Sequence, residues 1–257
     1  MNLILYHTQD KIAYITLNRP EKRNALSAEL VTELKQAFQQ ATDDSQVKVI
    51  ILRAEGKVFC AGADLGYLQQ LQSNTFEENL ADSQHLKELF WQIYTLPKPV
   101  IAQVQGHAIA GGCGLAAVCD FVFAVESAKF GYTEVKIGFI PAIVMVFLLR
   151  KIGEGRAKEL LLFGELIDAK MAWQYGLVNE VVPENELNNR VWAFANKICL
   201  ENSPQAIATT KRMMYEIYAM NMPEALQFAA QQNAKARESA DCKKGIASFL
   251  NKEKIVW

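Results

Sequence analysis

One stretch, Val100 to Asp120, most constrains what this chain can become. The apolar run Val100-Ile101-Ala102-Gln103-Val104 leads through Gly106 into Ala110-Gly111-Gly112-Cys113-Gly114 and a series of small side chains. The apolar run reads as a strand, and small residues after glycines read as the opening of a helix. A strand that turns straight into a helix belongs to crossover architecture, with a parallel sheet covered by helices. The first N–H groups of that helix have no partner inside it and sit at the positive end of its dipole, so the turn can hold a polarised or anionic oxygen. Glycines there also let a helix lie tightly on a strand, and a Gly-Gly pair by itself favours that packing reading.

The same rhythm recurs along the chain. Leu3 to His7 and Ile12 to Leu17 alternate around Gln9-Asp10-Lys11 as a hairpin does. Ser27 is placed to cap a helix with Leu30, Leu34, Ala37, Phe38 and Ala41 on one face, and Val47 to Leu52 reads as a buried strand. A second small-residue turn, Ala61-Gly62-Ala63, follows the short run Val58-Phe59-Cys60. Residues 66 to 80 are polar with weak periodicity and predict a mobile excursion over a cleft, before a helix from Leu80 to Leu96 that Pro97 ends. Phe121 to Val125 and Lys129 to Gly131 read as strands. Gly155 to Phe163 and Ala169 to Tyr175 read as a helix pair, and four further helices follow from Glu184 to Lys252. The fold class is α/β, with residues 1–200 as the core and 201–257 as a C-terminal helical unit that folds back or packs on a neighbouring subunit.

With 257 residues, 51% of them hydrophobic, the chain can bury one large core. The 27 Lys and Arg balance 28 Asp and Glu, so no broad field draws nucleic acid or an anionic membrane, and an anionic ligand needs locally placed groups. Cys60, Cys113, Cys119, Cys199 and Cys242 are scattered without zinc spacing, which predicts no metal site and reduced thiols in a cytoplasmic protein. The N-terminus reads as a first strand, not a signal peptide, and the run Ile137 to Leu149 contains Pro141 and is too short to span a bilayer.

Each small-residue turn could supply one backbone N–H to a carbonyl oxygen. Together they would form an oxyanion hole able to hold an enolate, where removing one donor typically costs about 3–4 kcal/mol. Enolate chemistry also needs a base, and Glu134 sits in a loop at the right stage of the fold. Taken alone, it reads as a solvated loop carboxylate.

The segments Phe59-Cys60-Ala61-Gly62-Ala63-Asp64-Leu65, Gly106-His107-Ala108-Ile109-Ala110-Gly111-Gly112-Cys113 and Lys129-Phe130-Gly131-Tyr132-Thr133-Glu134 resemble the enoyl-CoA hydratase/isomerase (crotonase) family. So do Gly176-Leu177-Val178-Asn179 and Phe249-Leu250-Asn251-Lys252, in order and over nearly the whole length. The resemblance implies a crotonase-like ββα superhelix with a C-terminal helical trimerisation unit. It further implies a homotrimer or dimer of trimers acting on coenzyme A thioesters, with no cofactor beyond the coenzyme A of the substrate. By position, the N–H groups of Ala63 and Gly111 would hold the thioester oxygen, and Lys22, Arg23 and Ala61 would contact the coenzyme A. Phe249 and Lys252 would reach its adenine end, often across a subunit boundary. Asp64, Leu65, Gly114 and Tyr132 are the remaining substrate-binding candidates in the matched motifs.

The pattern also breaks. Hydratases of this family usually present two glutamates, and here the first position is Gly114, leaving Glu134. Adding water asks for a base on the water and an acid toward carbon, whereas one carboxylate suits moving one proton. A single glutamate can take a proton from water and return it, with Gly114 leaving room for that water; His107 and Cys113 lie close in the motif but read as a packed turn residue and core filler. The segment Gly138 to Val146 is bulkier and more apolar than the usual glycine-rich turn, which predicts a narrowed or reshaped acyl pocket. The resulting expectation is a hydratase or dehydratase of short or branched enoyl-CoA. The alternatives are a Δ3-Δ2 enoyl-CoA isomerase using Glu134 alone and an acyl-CoA-binding member with little turnover.

Overall fold

The computed structural model describes residues 2–257, apart from the side chain of Leu65. The chain opens as a hairpin because Asp10 and Lys11 both take left-handed backbone angles (φ 52° and 64°), which turns β1 (Ile4–Gln9) back onto β2 (Ile12–Leu17). Ser27 accepts the N–H of Leu30 and starts α1 (Ala28–Asp43), whose buried face is Leu30, Val31, Leu34, Ala37, Phe38 and Ala41, the face expected.

Three similar units follow. Each gives two strands and then helix: β3 (Val49–Ala54) and β4 (Val58–Cys60) before α2 (Leu65–Leu71) and α3 (Phe76–Thr95), β5 (Val100–Val104) and β6 (His107–Ile109) before α4 (Gly111–Ala117), and β7 (Phe121–Val125) and β8 (Lys129–Gly131) before α5 (Ala142–Lys158). The first strand of each unit joins a six-stranded sheet ordered β1-β2-β3-β5-β7-β10, and the second joins a four-stranded sheet ordered β4-β6-β8-β9. β9 (Ile167–Asp168) and β10 (Glu180–Val182) are the late edge strands, separated by α6 (Ala169–Gln174). Within both sheets the pairs are parallel except β1 with β2 and β8 with β9. β2 and β5 are buried along their whole length, as runs covered on both faces must be.

Two expectations change. Residues 66 to 80, expected as an excursion without a helix of their own, are largely helical: Asp64 caps α2, and Thr75 with Glu78 forms a capping box that starts α3 four residues ahead of the predicted Leu80. Local capping chemistry outweighs the weak apolar periodicity there. The helix predicted from Gly155 is the second part of α5, broken at Gly153 (φ 75°, ψ 165°) and widened into a π-turn over Glu159–Phe163.

The chain ends in α7 (Leu187–Glu201), α8 (Pro204–Glu216), α9 (Met222–Glu238) and α10 (Ala240–Leu250). Lys211 on α8 donates to Asp120 Oδ2 at 2.6 Å and to the Lys98 carbonyl at 3.0 Å, tying α8 to the core. α10 packs on α8 and α9 and leaves Phe249 and Leu250 82% and 72% exposed. Among the described residues no helix is long and apolar enough to cross a membrane.

Candidate active site

Three neighbouring parallel strands, β4, β6 and β8, end side by side, and the segments leaving them are Ala61-Gly62-Ala63, Ala110-Gly111 and Tyr132-Thr133-Glu134. A cleft at the carboxyl ends of parallel strands is where open α/β sheets place ligands. The first turn is held from outside by the loop after β2. Leu26 N–H donates to Gly62 O at 2.7 Å and Leu26 O accepts Asp64 N–H at 2.9 Å, making a parallel bridge between Leu26 and Ala63. In such a bridge the residue between the two bonded neighbours points its own N–H the other way. Ala63 N–H therefore faces away from the loop and donates to nothing among the described residues.

Gly111 begins α4, so its N–H has no helical partner and is likewise unused. The two turns touch: a Cβ on Gly62 (φ 90°) would lie 2.8 Å from Ala110 Cβ and 3.3 Å from Gly111 N, so only glycine fits there. Ala110 is held at φ 53° and ψ −127°, an uncommon conformation for a residue with a Cβ, and its N–H is fastened to Gly131 O at 2.7 Å. Gly112, by contrast, answers the packing reading, since a Cβ there would be 2.2 Å from Cys60 O.

The third segment supplies side chains. Glu134 starts a 3-10 turn, and its Oε2 is buried without a partner. Burial raises its carboxyl above the ordinary glutamate value, opposed by its own backbone N–H. Tyr132 is fully buried and its hydroxyl has only the weakly bonding Cys113 thiol against it, with no nitrogen or oxygen partner, a state that costs a buried hydroxyl about 1–3 kcal/mol. Beside it lies Cys113, whose thiol burial pushes up to about 12, so it is a neutral thiol and not a nucleophile. Two N–H groups on one side and a poised carboxylate on the other are suited to moving protons next to a carbonyl.

The enoyl-CoA hydratase/isomerase family profile matches residues 7–257. The chain belongs to that family. A Thermus thermophilus protein is 42% identical over 241 residues, covering 94% of this chain and 95% of its own. The crotonyl-CoA hydratase of Syntrophomonas wolfei is 36% identical over 253 residues, covering 98% and 96%. In structure, the enoyl-CoA hydratase of Mycobacterium smegmatis superposes with a TM-score of 0.93 at 31% identity, covering 100% of this chain and 99% of the other. The spiral of ββα units is the crotonase fold.

In this member of the enoyl-CoA hydratase/isomerase family, the expected room beside Gly114 does not exist. A Cβ there would lie 2.2 Å from Val144 Cγ1 and 3.2 Å from Phe90, so α5 has pushed an apolar side chain into the place a second carboxylate would need. Of the bulky segment after Gly138, Val144 turns inward while Phe139 and Ile140 stay at the surface. The atoms beside Gly114 are thus those of Val144 and Phe90.

The remaining candidates divide. Lys22 and Arg23 are exposed on a 3-10 turn and its left-handed cap, free to meet a ligand. Ala61 gives its N–H to Arg23 O at 3.1 Å, so a contact from Ala61 to a ligand must use its carbonyl or methyl group. Asp64 caps α2 through Gly66 and Tyr67 and pairs with Arg19 at 2.8 Å, which makes it a support for the turn. Leu65's side chain lies outside the described residues. His107 is exposed at the start of β6, away from Ala110 at its end. Phe249, 82% exposed, and Lys252 lie at the end of α10 and just after it. The C-terminus is anchored at the opposite end of the first sheet, where Lys11 Nζ, just before β2, donates to Trp257 O at 3.2 Å.

Sequence reasoning missed two contributors, Phe90 and Asn24, and reached Val144 only as one residue of the bulky segment 138–146. Asn24 is buried, accepts Arg19 N–H at 2.9 Å and donates to Glu55 O and Val58 O at 2.9 and 2.8 Å, stapling the loop that fixes Ala63. Its backbone is left-handed (φ 54°), which asparagine tolerates better than most residues, but that angle is seen only in the structure.

Proposed function

We propose that the protein adds or removes water at the double bond of short or branched 2-enoyl-CoA thioesters. The observation that carries this is the pairing of two unused N–H groups, on Ala63 and Gly111, with one buried carboxylate whose Oε2 has no partner. The thioester oxygen receives both N–H groups, and charge that develops on it as the enolate forms is met by donors already in place. Glu134 takes a proton from water as oxygen adds to C3 and returns it to C2. Its raised carboxyl makes it a stronger base than an ordinary glutamate. Exposed Lys22 and Arg23 suit the phosphates of coenzyme A. The relative named crotonyl-CoA hydratase supports a short acyl chain.

The Val144 closure beside Gly114 favours a second reading, the Δ3-Δ2 isomerase, in which Glu134 alone moves a proton between C2 and C4. Crotonyl-CoA absorbance separates the readings. Rapid loss of the conjugated signal is the hydratase result. A flat trace, with 3-enoyl-CoA gaining absorbance, replaces it with the isomerase, and tight acyl-CoA binding with neither change leaves a member with little turnover.

We further propose a homotrimer or dimer of trimers, with α9 and α10 bringing Phe249 and Lys252 to a neighbour's site. The exposed Met222, Leu226, Ile246, Phe249 and Leu250 supply an apolar face for it. Five unpaired cysteines support a reducing, cytoplasmic setting.

A further inference from the structure

Glu134 Oε2 and Tyr132 Oη are both buried without a nitrogen or oxygen partner. A general base explains the first. Nothing yet explains the second, because a phenylalanine would fill the same fully buried space, and buried tyrosine hydroxyls ordinarily find a partner. Strand pairing fixes where the tyrosine lies. Ile109 faces Gly131, and Ala110 N–H is bonded to Gly131 O, so Tyr132 is the next residue beside the turn that presents Gly111 N–H, two residues before Glu134. The position that could hold a second acid, Gly114, is closed by Val144 and Phe90.

We propose that Tyr132 is the positioning residue for the reacting water, its hydroxyl donating to the water oxygen while Glu134 accepts one of the water's protons. The inference rests on the hydratase reading. In the step, one water O–H bond breaks and its proton goes to Glu134 while the oxygen bonds to C3. The C2=C3 electron pair becomes the C1=C2 pair of the enolate, and the thioester C=O pair moves onto oxygen, held by Ala63 and Gly111. The proton on Glu134 then passes to C2 as the carbonyl re-forms. Tyr132 ends with the proton it began with: burial foremost, with Cys113 and Glu134 adding to it, holds its phenol well above the ordinary range, so it stays a donor throughout.

The test is Tyr132→Phe in the full chain, which removes one oxygen and keeps the ring in place. Two rates are read: hydration of crotonyl-CoA, and exchange of the C2 protons of butyryl-CoA with D2O, which needs Glu134 and the N–H pair but adds no water. The expected result is a tenfold to hundredfold lower kcat for hydration, on the order of one lost hydrogen bond. KM, proton exchange and melting temperature should stay near the wild-type values. Unchanged hydration overturns the proposal. So does an equal loss of exchange, which would make Tyr132 a support for Glu134, and so does a raised KM with kcat kept, which would make it an acyl contact. A wild-type protein that does not hydrate any short enoyl-CoA overturns the hydratase reading itself, and that failure is visible without the variant.

Discussion

The two ends of α4 are built on opposite terms. At its carboxyl end nearly every polar group is satisfied: Asp120 Oδ2 accepts Val100 N–H at 2.7 Å and Lys211 Nζ at 2.6 Å, and Lys151 donates to Cys119 O at 2.7 Å. Asn179 closes the next strand onto the sheet by exchanging two hydrogen bonds with Val122, at 2.7 and 2.8 Å. At its amino end two N–H groups and two side-chain oxygens are left without nitrogen or oxygen partners, next to a backbone held at an uncommon angle. Bonding that is complete holds a fold, and bonding that is left open is available to a substrate. One short helix divides the two tasks.

The largest effect that can break this contrast lies at the open end. Glu134→Gln removes the proposed proton acceptor and keeps the shape, so turnover should fall by roughly a hundredfold to ten-thousandfold while acyl-CoA affinity, measured by calorimetry, is kept. Turnover within a few-fold of wild type would mean that the unsatisfied oxygen is not the reacting one.

At the closed end the sign reverses. Asp120→Ala strips an ion-pair partner from Lys211, whose side chain is 10% exposed, and an acceptor from Val100 N–H. Leaving such groups short should lower stability by about 1–3 kcal/mol in urea unfolding, with kcat/KM unchanged where the protein is still folded. A fall in kcat/KM without loss of stability would show that the two ends are coupled and that the division is false.

How much of this could be read from the chain follows the same line. The strands, α1 and its buried face, and the three segments that converge on the site were legible because apolar spacing and glycine turns are local signals. The capping box that starts α3 was legible too, in Thr75 and Glu78, but was outweighed by a polar composition. Val144 was not. That it fills the space beside Gly114 depends on how α5 lies against α4, a contact between residues thirty positions apart that spacing within either helix does not encode. Nor was Asn24, whose partners Glu55 and Val58 lie in the next unit of the spiral.

The smallest effect sharpens the comparison most. Burial raises the carboxyl of Glu134, so ionising it works against the folded state. Below the ordinary glutamate range the group is protonated whether the chain is folded or not, and the penalty vanishes; it sets in as pH rises through the raised folded value. Glu134→Gln should therefore melt above wild type at about pH 7 and level with it at about pH 4. Asp64 supplies the internal control. Burial pushes its carboxyl up, but the N–H of Tyr67, the Arg19 guanidinium and the N–H of Gly66 more than reverse this and leave it lowered. Its contribution is present above the unfolded aspartate value and is lost as pH falls through the lowered folded one, equally in both proteins, so it cancels in the difference. A variant less stable than wild type at about pH 7 would place Glu134 among the satisfied groups that hold the fold, and the open end of α4 would then have lost its base.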